Sequence, residues 1–532
     1  MKSRTVIDVW VPDLTFPGWM DRWYQQAADF EQRHPEYEVR VSGQDFWTFP
    51  LKVAEASAAG RMPALAEYYF YAGQAARDSL APDGSPMFAS VEKAVAGRAD
   101  VLGEPVVLGD VIKPLRDYYT YDGDLACMPS VGTTSLLYAN KDILRRAGIS
   151  ELPRTWREVE AVCDIVAGMK DGPAYPITWS DHGTFFQQAL AIQGGLLVNN
   201  HNGRTGPATT VDLATNEMLT WAEWWRGLHA KGHYLWTGGI PDWAGTFKAF
   251  ADQDVAFRIT SSNDVNYMVQ AAKANGFDIE VGIFPYPDDI PYVGNAVAGT
   301  AIWMANHLDE ATQEGALAFL MWLHSPRVAA DRHKANSFMP LTHSSFALLE
   351  EEGWFDKHPY HRVASEHVNA YPEGAIRSVR ATGDVPISEG ALIGDFAGNQ
   401  DVMTRAMGDV LNGADPVTRF IEATAEAQRL LDAYHTDRLA GGPDQPRQPA
   451  GGALRRRGGR ARLLGGRPGE GREAERLTTT RGGPGVLPGA AFSFQGHDAR
   501  PDVPPVRPGR GRARPGRRDV RGQAFLLATA TR

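Results

Sequence analysis

Five short polar–aromatic clusters hold the residues of this 532-residue chain best suited to recognition chemistry. They read Pro12-Asp13-Leu14, Gln44-Asp45-Phe46-Trp47, Glu67-Tyr68-Tyr69-Phe70-Tyr71, Trp179-Ser180-Asp181-His182-Gly183-Thr184-Phe185 and Thr260-Ser261-Ser262-Asn263-Asp264. These types suit a sugar. The apolar C–H faces of a pyranose lie against aromatic rings, and its hydroxyls, each both donor and acceptor, are held by Asp, Asn, His and Thr. A hydrogen bond to an ionised carboxylate contributes roughly 1.5–3 kcal/mol. Taken singly, a ring on a strand is more often core than platform, and an Asp beside it is often a helix cap. The clusters inform only collectively.

The signatures of bond-breaking chemistry are missing. The chain has no His-Glu-x-x-His, no Gly-x-Ser-x-Gly, no Walker loop and no dinucleotide glycine fingerprint. His358, His361 and His367 sit near one another without a partner Cys and read as exposed loop histidines rather than metal ligands. Cys127 and Cys163 lie in the apolar contexts Leu-Ala-Cys-Met and Ala-Val-Cys-Asp and read as small buried hydrophobes. The expectation is a binding protein and not an enzyme, with no catalytic residue, metal or cofactor. A carbohydrate-active enzyme remains as an alternative.

The clusters need elements to carry them, and the chain alternates strand and helix. Val6–Val11 reads as a strand, Gly18–His34 as a helix with Met20, Trp23, Ala27 and Phe30 on one face, and Tyr37–Ser42 as a strand. Leu51–Ala59 is a helix stopped by Gly60, and Ala64–Phe70 a third strand. This β-α-β-α-β order predicts a parallel sheet with helices on both faces, which receives its ligand at the carboxyl ends of the strands. Further strands fit Ser135–Asn140, Ala256–Thr260, Glu280–Phe284 and Gly299–Ala305. Further helices fit Lys141–Ala147, Glu217–Lys231, Asp309–Leu323 and Pro416–Tyr434. Another opens at Thr155, with Glu158 completing a capping box.

Composition divides the chain at about residue 440. Residues 441–532 hold 19 Arg, 19 Gly and 11 Pro with 7 acids and no Lys, a net charge of +12. The overall charge of −10 therefore leaves −22 on the first 440 residues. An acidic body is a poor partner for nucleic acid or anionic membrane. The tail cannot bury enough apolar surface to offset chain entropy and is expected to be disordered. Its bias matches a GC-rich gene read out of frame, with an arginine/glycine-rich nucleic-acid arm as the alternative.

Several segments together resemble the bacterial extracellular solute-binding proteins of sugar-type ABC importers, near the glycerol-3-phosphate-binding branch. They are Gly60-Arg-Met-Pro-Ala-Leu, Leu136-Leu-Tyr-Ala-Asn-Lys-Asp-Ile-Leu, Leu152-Pro-Arg-Thr-Trp-Arg-Glu-Val, Gly299-Thr-Ala-Ile-Trp and Phe338-Met-Pro-Leu-Thr, spread over a resemblance that covers about residues 5–437. The pairing of Asn-Lys-Asp with a following Pro-x-Thr-Trp helix start is the specific part. The resemblance implies an α/β, two-lobed periplasmic-binding-protein-like fold with the ligand cleft between lobes. It divides the chain into residues 1–130 with 281–336 as one lobe, 131–280 with 337–440 as the other, and 441–532 as tail. It also implies hinge closure and delivery to a membrane permease. Extracellular, cell-surface or periplasmic localisation follows, although the chain as given shows no export signal. A monomer is expected.

Carried over position by position, the resemblance places Asp13, Asp45, Phe46, Tyr68, Thr133, His182, Thr184, Asn263, Gly299 and the Leu392–Asp395 region at the ligand. Asp181, Asp264 and Asp395 complete the expected set. Two departures bear on the ligand. Pro63-Ala64 replaces the usual Pro-Asp, and the phosphate-binding arginine of the glycerol-phosphate branch falls on Leu392. A buried phosphate without that cation would lack its partner. The expected ligand is therefore a neutral sugar, a monosaccharide such as galactose, unless Arg377 or Arg380 substitutes for the lost cation. Maltodextrin is the rival, but Asn263 stands where maltodextrin receptors stack a Trp and Phe46-Trp47 is bulky, both of which suggest a shorter pocket. His182→Ala and Asp264→Ala are each expected to weaken binding without unfolding the protein.

Overall fold

The computed structural model describes residues 3–14, 18–46, 48–121, 123–292, 294–368 and 390–439. The tail expected to be disordered lies outside them, as do Trp47, Arg377 and Arg380. The chain begins with β1 (Thr5–Asp13), α1 (Trp19–Arg33), β2 (Tyr37–Asp45), α2 (Phe49–Ala58) and β3 (Leu65–Tyr69). β4 (Phe88–Ala89) and β5 (Met128–Thr133) follow, and Thr134 alone separates β5 from β6 (Ser135–Asn140). Next come α3 (Lys141–Ala147), α4 (Trp156–Ala167), β7 (Tyr175–Thr178), α5 (Gly183–Ile192), α6 (Asn216–Ala230), α7 (Trp243–Ala251), β8 (Val255–Ser261), α8 (Val265–Asn275) and β9 (Ile279–Ile283). β10 (Ala298–Ala305), α9 (Glu310–Leu323), α10 (Pro326–Asn336), α11 (His343–Glu351), α12 (Phe396–Leu411) and α13 (Pro416–Leu439) complete the principal elements.

Two sheets result. β1–β5 and β10 form one, and β7, β8, β6 and β9 form the other in that order. The first contains the expected parallel set, with β1 pairing in parallel to β2 and β3. It is nevertheless mixed, because β10 runs antiparallel to β3, β4 and β5. β10 arrives from the second sheet rather than from a crossover helix beside its own. The handedness and direction rules for βαβ units therefore do not constrain it.

Local sequence explains these elements. α1 buries Trp19, Trp23, Ala27 and Phe30, spaced three or four apart, and α9 packs on β1. β5 and β6 are buried at every residue, the pattern of strands covered on both faces. The capping box of α4 is present: Thr155 Oγ1 accepts from the Glu158 N–H at 3.3 Å and Glu158 Oε2 accepts from the Thr155 N–H at 3.1 Å. The Trp156 that follows stacks on Trp224 at 5.2 Å, and Trp224 stacks on Trp179 at 5.9 Å. The motif tryptophan thus packs into the second lobe's core, each ring pair contributing about 0.5–1.5 kcal/mol beyond burial.

The chain crosses between sheets at Thr134 and again over residues 284–297. These crossings are tied to each other, because Thr134 Oγ1 lies 3.0 Å from both the Gln188 side-chain oxygen and the Ala296 carbonyl. Gly299, just past the second crossing, has φ +145°, and a Cβ there would sit 1.9 Å from the Val131 carbonyl oxygen. Its role here is backbone approach between β10 and β5. Gly299→Ala is expected to lower stability by about 3 kcal/mol or more. Urea unfolding checks this, and an unchanged midpoint would mean that the strands part without cost.

Candidate functional site

Strand alternation decides which side of the β3 cluster meets the other lobe. Tyr68, expected at the ligand, is 2% exposed and packs edge-on against Phe49 and Phe88 at 5.2 and 5.6 Å. It belongs to the core. Tyr69 points the other way, and its ring meets Phe46 at 5.2 Å and Tyr71 at 5.2 Å. Its phenol is pushed up to about 12, first by burial and second by the carboxylate of Asp264. A ring of the first lobe and an acid of the second therefore face each other.

Asp13 and Asp45 end β1 and β2 in register, both exposed. Asp45 Oδ1 accepts from the Thr48 N–H at 2.9 Å and hydroxyl at 2.8 Å, so this carboxylate also fastens the entry to α2. Thr133 is buried at the crossing, and Gly299 offers no side chain. Asp395 adopts φ +45° and accepts from the Gly398 N–H at 3.1 Å as the N-cap of α12. Leu392 is 3% exposed and its N–H donates to the Asn202 carbonyl at 2.9 Å. The position matched to a phosphate-binding arginine is thus apolar core.

The second lobe supplies the α5 entrance. His182 caps that helix, its Nδ1 accepting from the Thr184 N–H at 3.2 Å. Burial pulls its pKa to about 4, so the ring is neutral at pH 7 and carries its proton on Nε2. The imidazole lies 5.4 Å from the Trp243 ring, and Thr184 is half-buried beside it. Asn263 and Asp264 occupy the single turn Ser262–Asp264 that joins β8 to α8. Asp264 Oδ2 accepts from the Thr260 hydroxyl at 2.6 Å and lies 3.4 Å from the Arg258 guanidinium. Burial raises its pKa more than Arg258 lowers it. Arg258 reaches on to the Trp243 carbonyl at 3.3 Å, so this buried pair also positions a cleft ring. Asp264→Ala would strand a buried guanidinium, at a cost of about 3–5 kcal/mol. The expectation that it spares the fold is corrected on that ground.

Asp181 is the exception among these acids. It is 2% exposed, and neither carboxylate oxygen has a hydrogen-bond partner. Burial first and Asp409 second push its carboxyl well above the usual range. The backbone of α12 passes close by, since a Cβ on Gly408 would lie 3.3 Å from Asp181 Oδ2.

The lobes touch in this conformation. Phe70 meets Phe396 at 5.2 Å, and the Tyr434 hydroxyl donates to Asp78 at 2.9 Å. Among the described residues, the ends of β1, β2 and β3 leave a cavity of about 10 Å³, room for one water and not for a pyranose.

Sequence reading placed Tyr69 and Tyr71 in a recognition cluster but carried only Tyr68 to the ligand, and it did not single out Trp243. The period-two alternation from Leu65 would have put Tyr69 rather than Tyr68 on the cleft face. No local pattern marks Trp243, which reaches the site through Arg258. The histidines also differ from expectation: His361 and His367 are 5% and 0% exposed. His367 accepts from the Phe284 N–H at 3.3 Å, and His361 bonds Asn266 at 2.9 Å. Both therefore help hold the segment after α11 to the second lobe. Among the described residues no group of three or more His, Cys, Asp or Glu is arranged to hold a metal.

The model of the family described as bacterial extracellular solute-binding protein matches residues 25–361. The sn-glycerol-3-phosphate-binding periplasmic protein UgpB of Salmonella typhimurium is 26% identical over 311 residues, 57% of this chain and 66% of the relative. This chain thus spans about two thirds of that relative's length. The cyclic alpha-maltosyl-1,6-maltose binding protein of Arthrobacter globiformis has a TM-score of 0.63 at 16% identity, covering 81% of this chain and 100% of that one. UgpB of Mycobacterium tuberculosis in complex with glycerophosphocholine has a TM-score of 0.59 at 17% identity, covering 81% and 99%. These structural likenesses establish the two-lobed periplasmic-binding-protein-like fold.

The partnerless Asp181 makes a pH prediction. Its unfolded pKa is about 3.9, and its folded pKa is raised. Above about pH 4 the unfolded chain loses this proton while the folded chain keeps it, so the folded state binds more protons and stability falls as pH rises. The contribution is fully present below about pH 4 and is lost as pH rises through the folded value. Asp181→Asn removes the titration. Its stability relative to the parent should grow from pH 4.5 to pH 7 in thermal melts, and a difference that stays flat with pH would show an ionised, solvated Asp181.

Proposed function

We propose that this chain, which belongs to the bacterial extracellular solute-binding protein family, is the receptor of an ABC importer and captures a neutral sugar. A monosaccharide such as galactose is the first candidate. The observation that carries the reading is what faces across the lobes: Phe46 packs on Tyr69 in the first, a neutral His182 lies against Trp243 in the second, and Asp264 of the second acts on Tyr69 of the first, with Asp13, Asp45 and Asn263 at the ends of β1, β2 and β8. Arg258, the guanidinium buried among them, is already engaged by Asp264. Rings take the C–H faces of a sugar, and the His182 Nε2–H and the carboxylates take its hydroxyls. A phosphate dianion would face those carboxylates with Leu392 in place of its cation.

The lobes, residues 1–130 with 281–336 and 131–280 with 337–440, swing about the two crossings and close as a monomer on the solute. The closed form is then presented to the permease. The ligand favours closure only by as much as it binds that form better than the open one. A phosphorylated polyol is the second reading, favoured by the glycerol-phosphate-binding relatives. It requires a cation from Arg377 or Arg380, both outside the described residues.

Titration calorimetry with galactose, glucose, maltose, maltotriose and sn-glycerol-3-phosphate tests the proposal. Heat with a neutral sugar is expected, and His182→Ala and Tyr69→Ala should each weaken it at least about tenfold, or ~1.4 kcal/mol. Binding of glycerol phosphate with no heat from any neutral sugar would sink the reading.

A further inference from the structure

Glu67 is a buried carboxylate whose hydrogen-bond capacity is half used. It sits in β3 at 0% exposure. Its Oε1 accepts from the Thr300 hydroxyl at 2.5 Å. Ser130, held by Arg332 at 2.8 Å, stands close to this carboxylate, and the Arg332 guanidinium acts on its charge from nearby. Its Oε2 has no partner. A buried carboxylate oxygen left bare is costly and calls for an occupant.

The occupant has a place. Glu67 lines the cavity of about 10 Å³ at the carboxyl ends of β1–β3, with Pro12, Phe46, Tyr69, Tyr71 and Ala72 among its neighbours. That volume fits one water or one hydroxyl. A resident water wants two to four polar partners, and this cavity is walled chiefly by rings and aliphatic carbon. An ammonium would bring three donors to one bare acceptor. A hydroxyl on a short carbon arm fits both features: one strong bond to the carboxylate, and a methylene against the rings.

We propose that this cavity is a subsite for the primary hydroxyl of the ligand, the exocyclic hydroxymethyl arm of a hexose, received by Glu67. The proposal rests on the reading of the cleft as a sugar site and adds which part of the sugar is selected. It makes Glu67 and Ala72 determinants of hexose over pentose and 6-deoxy sugar. Buried Glu67 also keeps its carboxyl above the usual range, chiefly by desolvation. A hydroxyl, able to donate or accept, suits either protonation state.

The test pairs sugars that differ at that hydroxyl alone: D-galactose with D-fucose, D-glucose with 6-deoxy-D-glucose, and maltose with 6′-deoxymaltose. Each is titrated calorimetrically into the full chain and into Ala72→Val and Glu67→Gln. In the parent protein the 6-hydroxy partner should bind at least about tenfold more tightly. Ala72→Val fills the cavity and should bring the ratio close to one by weakening only the 6-hydroxy sugar. Glu67→Gln should reduce the ratio, and Ala72→Val keeps the test decisive if that variant does not fold. Equal affinities within a binding pair in the parent protein would show a water-filled void and overturn the subsite while leaving the sugar reading intact. Failure of every pair to bind would remove the sugar reading and the subsite with it.

Discussion

A single residue, Thr134, carries the chain from one sheet to the other, and the rest of the architecture is arranged around that shortness. β5 and β6 are each buried along their whole length, yet they belong to different sheets. With no slack between them, relative motion of the lobes has to be taken up at the crossing itself. The backbone of Thr134 is paired to Ser262 by an N–H to the Ser262 hydroxyl at 3.2 Å and by its carbonyl accepting from the Ser262 N–H at 2.8 Å. Those bonds lie next to Asn263 and Asp264. The crossing and the Ser262–Asp264 turn are thus one piece of structure, so the proposed swing of the lobes would be coupled to what binds at that turn.

Four buried acids show how the same side-chain type is made structural or available. Asp264 is matched by Arg258 and Thr260 and stiffens the second-lobe floor. Glu104 is matched by Arg33 and His34 at 2.9 Å and belongs to the scaffold. Glu67 is matched on one oxygen and bare on the other. Asp181 is bare on both. Since a buried carboxylate without partners is expensive and a paired one is nearly neutral, bare oxygens mark where the fold withholds its own partners. Both bare groups lie in the polar–aromatic clusters, and Glu104 lies outside them.

Much of the fold is legible in the sequence because the signals are local. The three-to-four spacing of Trp19, Trp23, Ala27 and Phe30, the alternation in β1 and β2, and the Thr155–Glu158 box each fix an element within a few residues. The direction of β10 is not legible, because it depends on the chain having left for another sheet and returned. At the site, period-two alternation was available for β3 and would have separated Tyr68 from Tyr69. Aspartates were harder. Asp45, Asp264 and Asp395 have the composition of ligand contacts, yet each also serves the fold through Thr48, Arg258 or the Gly398 N–H, and Arg258 sits in a strand whose face cannot be known before the sheet is. The burial of His361 and His367 depends likewise on Asn266 and Phe284, about 80 or more residues away in sequence.

The proposed sugar reading has to accommodate a cavity of about 10 Å³ at the strand ends. Phe70 against Phe396 and Tyr434 against Asp78 bring the lobes together. Phe46, Tyr69 and Tyr71 then pack on one another at 5.2–5.7 Å, occupying space that a pyranose face would take. A bound sugar would replace ring–ring contacts with ring–C–H contacts of similar strength, so stacking alone yields little net affinity. On the proposed reading, net affinity has to come from hydrogen bonds that the protein cannot make by itself. The candidates are the partnerless oxygens of Asp181 and Glu67 and the Nε2–H of His182. On this view selectivity resides in a few polar atoms, and the aromatic wall, though larger in area, serves chiefly to keep water away from them.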